Sequence, residues 1–423
     1  MDWRVLVVPA FVASIAACSP FGGGAFACSD NSQCGATGIC TAGFCAFADS
    51  TCSSGERYGT ASGPMSNQCV GAPTPAIDSS PGSEPPPPGI DAKQFLDAPA
   101  PGTVCYGVGL AKACFATPPV NTITLTAAIN TDNSQMCSTL VMGNPPWCVI
   151  AGNEVVVSGT VVATGGKPLV LVAVDKVDVS GTLSAASTRT GGEVIGASAD
   201  FAMCDAGTPP TNNGAGGGAG GSFGGAGGNG GDGPTANTHG KAGATQTPAA
   251  MRGGCPGQTG DGNGANGGKA GHGGGSLALD AGGSVTVEGA VNASGEAGGG
   301  GAAADDNGGG GGGAGGLIVL DAPTVTVTGQ VFTNGGGGAE GGSKNPDLAG
   351  ADGNDPTVGG AAASNNNANG GNGGPGGFGM TAAGPGAAVA GHSGGGGGGG
   401  VGVIKLFQAT SIGGGGQISP PQN

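Results

Sequence analysis

Apolar and polar positions alternate in five short segments of this chain, always in one frame. From Leu277 to Ala293, the residues Leu277, Leu279 and Ala281 fall on one face, while Ala278 and Asp280 fall on the other. After Gly282-Gly283 the first face continues through Val285 and Val287, and Gly289 marks a second bend before Val291 and Ala293. A period of two, with β-branched residues and glycine punctuation, predicts strand, turn, strand, bend, strand. Residues 169–185 and 318–333 carry the same frame, 147–163 fits it, and 404–419 fits it loosely.

Such a unit cannot bury its own apolar face, so it is expected to stack on its own copies. The first two segments start 22 residues apart, at Trp147 and Leu169, about one coil of a parallel β-helix. Gly159, Gly181, Gly289, Gly329 and Gly416 occupy the same bend, where a residue without Cβ turns most cheaply. The expected fold class is all-β: a parallel β-solenoid or β-helix with long Gly-rich insertions, preceded by a small disulfide-rich module. A β-sandwich with unusually long loops is the alternative. Residues 120–129 supply a first strand or capping rung. The insertions, about 187–275, 295–316 and 335–400, leave and return at matching points and should emerge on one side. They have two physical fates. Polyglycine chains can pack side by side as extended three-residue helices, or stay solvated and mobile; the backbone entropy of glycine favours the second.

Composition sharpens this picture. Glycine supplies 101 of 423 residues, whereas charged residues are 9% and aromatics 4%. No segment shows a sustained 3.6-residue apolar period, so a helical domain is not expected. The net charge of −15, with 12 Lys and Arg spread along the chain, excludes a nucleic-acid surface.

The first residues read as a targeting segment. Arg4 precedes the apolar run 5–13, and Ser14-Ile15-Ala16-Ala17-Cys18 follows. This ending resembles the lipobox of bacterial lipoproteins, which implies cleavage before Cys18 and a lipid on its sulfur; Ser19 then implies the outer membrane. Ordinary signal-peptide cleavage is the alternative. Removing Cys18 from 13 cysteines leaves an even number. Cys28, Cys34, Cys40, Cys45, Cys52 and Cys69 crowd into a segment with few hydrophobic residues, which disulfides must hold together. Sequence does not choose among their pairings. Cys105 with Cys114, Cys137 with Cys148, and Cys204 with Cys255 are the simplest pairs for the rest. Zinc is the other use for the cluster, but no histidine lies within it. The expected organisation is a signal peptide at 1–17, a tether at 18–27, the disulfide module at 28–70, a Pro-rich linker at 71–103 and the Gly-rich β domain at 104–423.

Taken together, the lipobox, the spaced cysteines ending in Gly55-Glu56-Arg57-Tyr58-Gly59, the Pro linker and the Gly-rich β segments resemble Gly-rich surface lipoproteins of myxobacteria. The glycine stretches are similar in style to the PE-PGRS proteins of mycobacteria. The resemblance implies a location and a shape rather than a reaction. The expected function is a non-enzymatic, lipid-anchored envelope protein with a structural or adhesive role. It would face the cell surface or the periplasm, need no cofactor, and meet the membrane through its lipid, with envelope polysaccharide or other surface proteins as further partners. The alternatives are a cation- or glycan-binding module and a polysaccharide-active β-helix enzyme.

Few residues offer chemistry. Gly391-His392-Ser393-Gly394-Gly395 matches a nucleophile elbow in letters, but glycines fill 394–400 where the elbow needs a helix. Gly227 to Asp232 matches most of one calcium-binding nonapeptide, with Pro234 where an apolar residue should pack. Asp280 and Asp321 occupy one position of the frame, so on adjacent rungs their carboxylates would lie about 4.8 Å apart. Asp232, Asp280 and Asp321 are therefore weak metal candidates, although solvated strand-end carboxylates would look the same. His239, His272 and His392 all sit in glycine loops and read as loop residues.

Overall fold

The computed structural model describes residues 28–70 and 103–422, apart from short stretches within each. They belong to two units, divided between Lys93 and Gln94. Cys18, the signal segment and the Pro-rich linker lie outside the described residues.

The first unit is held by sulfur. A 3-10 turn (Asn31–Cys34), capped by the Asp30 side chain, leads into strands β1 (Gly38–Thr41), β2 (Phe44–Ala48) and β3 (Glu56–Tyr58) in one antiparallel sheet. Disulfides join Cys28 to Cys40, Cys34 to Cys45 and Cys52 to Cys69. Cys28, Cys34 and Cys45 are themselves the buried cluster, so the bridges take the place of an apolar core.

In the second unit the chain begins with an antiparallel hairpin, β4 (Val104–Tyr106) and β5 (Ala113–Phe115). Parallel pairing then takes over. β6 (Thr122–Leu125) and β7 (Ile129–Asn130) make a partial rung beneath β8 (Cys148–Val157) and β9 (Thr160–Thr164). β10 (Leu169–Val179) and β11 (Thr182–Ser184) follow, then β12 (Ser276–Ala281), β13 (Ser284–Val287) and β14 (Ala290–Asn292). The next rung is β15 (Leu317–Ala322), β16 (Thr324–Val327) and β17 (Gln330–Phe332). A two-stranded hairpin of β18 (Ser343–Lys344) and β19 (Asp347–Leu348) interrupts before β20 (Val403–Gln408) and β21 (Gln417–Ser419). No α-helix occurs among the described residues.

Register follows the alternation. Leu171 lies opposite Ile150 and Leu279, Leu279 opposite Leu320, and Leu320 opposite Leu406. Val177 lies opposite Val155 and Val285, and Leu183 opposite Val161 and Val291. These columns, from two separate parallel sheets, meet in one buried cluster. A one-residue slip would turn every one of these side chains outward, which is why the frame is fixed so firmly. The bend glycines stack on one another: a Cβ at Gly289 would lie 1.8 Å from the Gly181 oxygen, and one at Gly329 2.0 Å from that of Gly289. Close approach between rungs, more than the turn itself, excludes a side chain at these bends.

The described residues of the insertions are ordered, contrary to the entropy argument. Each leaves after the short last strand of a rung and returns before the first strand of the next, and their glycine stretches lie side by side. Residues 308–316 form the centre. Gly309, Gly312 and Gly315 donate their N–H groups to the carbonyls of Gly394, Gly397 and Gly400 at 2.9 Å. Gly308, Gly311 and Ala314 donate to Asp261, Gln258 and Cys255, and Gly310, Gly313 and Gly316 to Gly299, Glu296 and Ala293. Each neighbour is thus met at every third residue, the period of a polyproline-II helix. Carbonyls of the same segment accept from Gly268, Gly271 and Gly274, from Gly218 and Gly221, and from Gly336 and Ala339. Six segments therefore surround the central one. Extended helices with neighbours on all sides have room for a Cβ at few positions, Ala314 among them, and sequence-wide glycine is what permits the packing.

The outer face of β10, β12 and β15 is covered rather than solvated. Tyr106, Phe115, Phe223 and Met251 pack against Val170, Val172, Ala278, Leu317 and Val319 in a second cluster, with Trp147 at its margin.

Candidate functional site

All twelve cysteines of the described residues are paired: Cys105 with Cys114, Cys137 with Cys148 and Cys204 with Cys255, beside the three bridges of the first unit. Cys28, Cys34 and Cys40 lie close enough to share a metal, but each sulfur is committed to a disulfide.

Asp280 and Asp321 are neighbours in register, as the frame implies, yet both are buried. The β4–β5 hairpin explains this. Asp321 Oδ2 accepts from the Val108 and Gly109 amides at 2.7 and 2.9 Å, and Oδ1 accepts from Gln408 Nε2 at 2.6 Å. That carboxylate holds down the hairpin turn. Neither oxygen of Asp280 has a hydrogen-bond partner. Burial, and secondarily the neighbouring Asp321, push its carboxyl well above the usual range, so the fold favours its neutral form. The expectation of solvated strand-end carboxylates is thereby corrected: the outward face of these strands is a second interior.

Asp232 closes its own turn, accepting from the Thr238 and His239 amides at 2.9 and 3.2 Å and from His239 Nδ1 at 2.6 Å. Partial burial raises this carboxyl, but those bonds outweigh it and hold it below its ordinary value. Ser393 is fully buried in the glycine bundle, and its hydroxyl donates to the Gly342 carbonyl. No helix follows it, and a buried hydroxyl spent on a backbone carbonyl is not a nucleophile.

All three histidines sit in loops, as expected, but each also faces a carboxylate. His239 pairs with Asp232, His392 Nδ1 lies 3.7 Å from Asp306, and His272 stands at the centre of a larger cluster. Asp200 Oδ2 bonds His272 Nδ1, and its Oδ1 accepts the Gly273 amide at 2.8 Å, so the ring is fixed from one side. On the other side His272 Nε2 lies 3.6 Å from Glu193 Oε1 and 3.9 Å from Glu296 Oε2. Glu296 has a side chain with 0% exposure; Oε2 accepts the His272 amide at 2.9 Å, and Oε1 accepts no hydrogen bond. Arg189 Nη2 is 2.9 Å from that Oε1, but the guanidinium donates to the Ala297 and Ala270 carbonyls instead. Asp355 anchors the same corner by accepting from the Arg189, Thr190 and Ala297 amides.

The electrostatics are those of an acid-rich point. The bond to Asp200 raises the His272 pKa against partial burial, and the charges of Asp200, Glu296 and Glu193 add to the rise. Burial raises Glu296, opposed by the His272 amide and by Arg189. No sequence spacing announces this cluster, because its residues stand on three insertion segments that only the glycine bundle brings together.

Comparison with known protein families, curated proteins and solved structures finds no match.

Proposed function

We propose that the chain is a non-enzymatic, lipid-anchored protein of the cell envelope, in which a β-solenoid carries a polyglycine bundle as a stiff scaffold. The observation that carries this reading is the central segment 308–316, whose N–H groups are all bonded to three neighbouring segments. A body built this way is held by directional bonds along its whole length while presenting almost no reactive side chains. The buried Ser393 and the hydrogen-bonded Asp321 support a structural role, since the groups that a hydrolase would expose are used to hold the fold. The disulfides fit an oxidising compartment. Anchoring at Cys18 rests on the lipobox resemblance, and an outer-membrane position on Ser19.

The test is palmitate labelling with protease shaving of intact cells that express the full chain. Label on the wild type that is lost in Cys18→Ala, with loss of the β domain on shaving, is the expected result for a surface scaffold. Label with protection from protease would place the scaffold in the periplasm, and absence of label would remove the anchor.

A cation-binding role is the second reading, favoured by the carboxylates gathered around His272.

A further inference from the structure

We infer that Glu193, His272 and Glu296 form a binding site for one divalent first-row transition ion of the zinc class, with Asp200 as the residue that orients the imidazole. Ligand atoms of the three residues lie within 4.8 Å of one another. The contacts between them are too long for hydrogen bonds: Nε2 stands 3.6 Å from Glu193 Oε1 and 3.9 Å from Glu296 Oε2. Donor atoms about 2.1 Å from one ion are separated by roughly 3–4 Å, so this spacing suits atoms that share an ion rather than bond each other. Glu193 is about half exposed, at 47%, and its side chain can move toward an ion, whereas Glu296 and His272 are held by backbone amides and by Asp200.

Two further features point to a ligand. Asp200 grips His272 Nδ1 and is itself pinned by the Gly273 amide, the carboxylate–histidine arrangement that fixes a metal-binding tautomer with Nε2 free for the ion. Glu296 brings a carboxylate wholly removed from solvent, with Oε1 met by Arg189 at 2.9 Å and Oε2 turned toward His272 Nε2 at 3.9 Å. Arg189 is the cation already beside Glu296, against the carboxylates of Glu193, Asp200 and Glu296, so the corner keeps a surplus of negative charge. An imidazole with two carboxylates selects a borderline ion over calcium, which prefers oxygen alone.

The three ligands come from the start of the first insertion, its return and the start of the second. A bound ion would therefore clasp these segments at the root of the glycine bundle. The site does not depend on the lipid anchor, and its test is separate.

The full chain, purified without an affinity tag, is titrated with zinc chloride, and parallel samples receive manganese or calcium chloride. The expected result is one zinc per chain and a Tm rise of about 5 °C at a hundredfold excess over Kd. Asp200→Asn should weaken binding by about 10–100-fold. His272→Gln and Glu193→Gln should each abolish the one-to-one site. Glu193 is exposed enough that its variant keeps the fold, which unliganded Tm confirms. No binding at millimolar zinc, or one-to-one binding that survives both substitutions, would overturn the assignment. So would a calcium shift equal to that of zinc and unaffected by His272→Gln.

Discussion

A single methyl group placed in the centre of the glycine bundle should damage the protein more than one at its edge. At Gly311 a Cβ would stand 2.0 Å from the Ala219 oxygen and 2.4 Å from its carbonyl carbon. Ordinary contact begins near 3.4 Å, so backbone must yield by more than an ångström, and no flexible side chain is there to move instead. Moving the central segment away from residues 216–221 breaks the bonds that Gly218 and Gly221 donate to Gly309 and Gly312. Overpacking alone costs about 1–3 kcal/mol, and each lost hydrogen bond adds about 1 kcal/mol. Gly311→Ala should therefore destabilise by about 3–5 kcal/mol, a Tm loss of roughly 4–8 °C for a domain of this size. Gly166→Ala is the control. Its Cβ would first meet Asp132 at 3.4 Å, and the lost freedom of the unfolded chain should leave stability unchanged or raised by up to about 1 kcal/mol. Scanning calorimetry of both variants, with amide exchange across 308–316, makes the comparison. Equal Tm values with fast exchange throughout the insertions would refute the bundle and restore the solvated alternative.

Other consequences are simpler to state. The raised carboxyl of Asp280 stabilises the fold most below the unfolded Asp pKa of about 3.9. That contribution falls by about 1.4 kcal/mol per unit as pH rises toward the folded value, so Asp280→Asn should gain on the wild type as pH rises above about 4, and parallel Tm profiles would contradict it. Cys204 and Cys255 are 51 residues apart, and Cys204→Ser with Cys255→Ser should cost about 4 kcal/mol and open the enclosed loop to limited proteolysis. Arg252 lies 4.2 Å from the Phe201 ring and 4.7 Å from the Phe223 ring; Arg252→Lys should lose about 1–2 kcal/mol, read as a lower urea midpoint. Ser393→Ala should lower Tm by a few degrees, the loss of about one buried hydrogen bond, and leave any background ester hydrolysis unchanged.

The strands were legible because each carries its own signal. The frame of 277–293 against 318–333 already sets Leu279 beside Leu320 and Asp280 beside Asp321, the pairing seen in the sheet. What lies over those strands was not legible. Whether the face carrying Asp280 meets water or protein depends on a hairpin at residues 104–115, more than a hundred residues earlier and with no pattern linking the two. The same limit hid the cluster at His272. A glycine loop gives no periodicity from which to infer which neighbour it faces, so Glu193, Asp200 and Glu296 read as scattered acids. The only faint signal was that His239, His272 and His392 stand where almost everything else is glycine, alanine or asparagine.

Order in the insertions also follows from their attachment. Fixing a residue costs about 1–2 kcal/mol in backbone entropy, with glycine at the high end, while one backbone hydrogen bond returns about 1 kcal/mol net. An isolated polyglycine strand therefore stays unfolded. Here each excursion begins and ends on a rung whose register is set by buried Leu and Val columns, so neighbouring excursions are delivered side by side in the right phase. Cys204–Cys255 shortens the longest excursion further, and both of its cysteines touch the Arg252 guanidinium at 3.2 Å. The central segment then gains bonds to three neighbours as donor and to three others as acceptor, which no two-stranded arrangement could supply. The stability of the bundle is thus borrowed from the stacked strands. Loosening a rung, as in Leu279→Ala, should release amide protection in 308–316 before it melts the remaining strands.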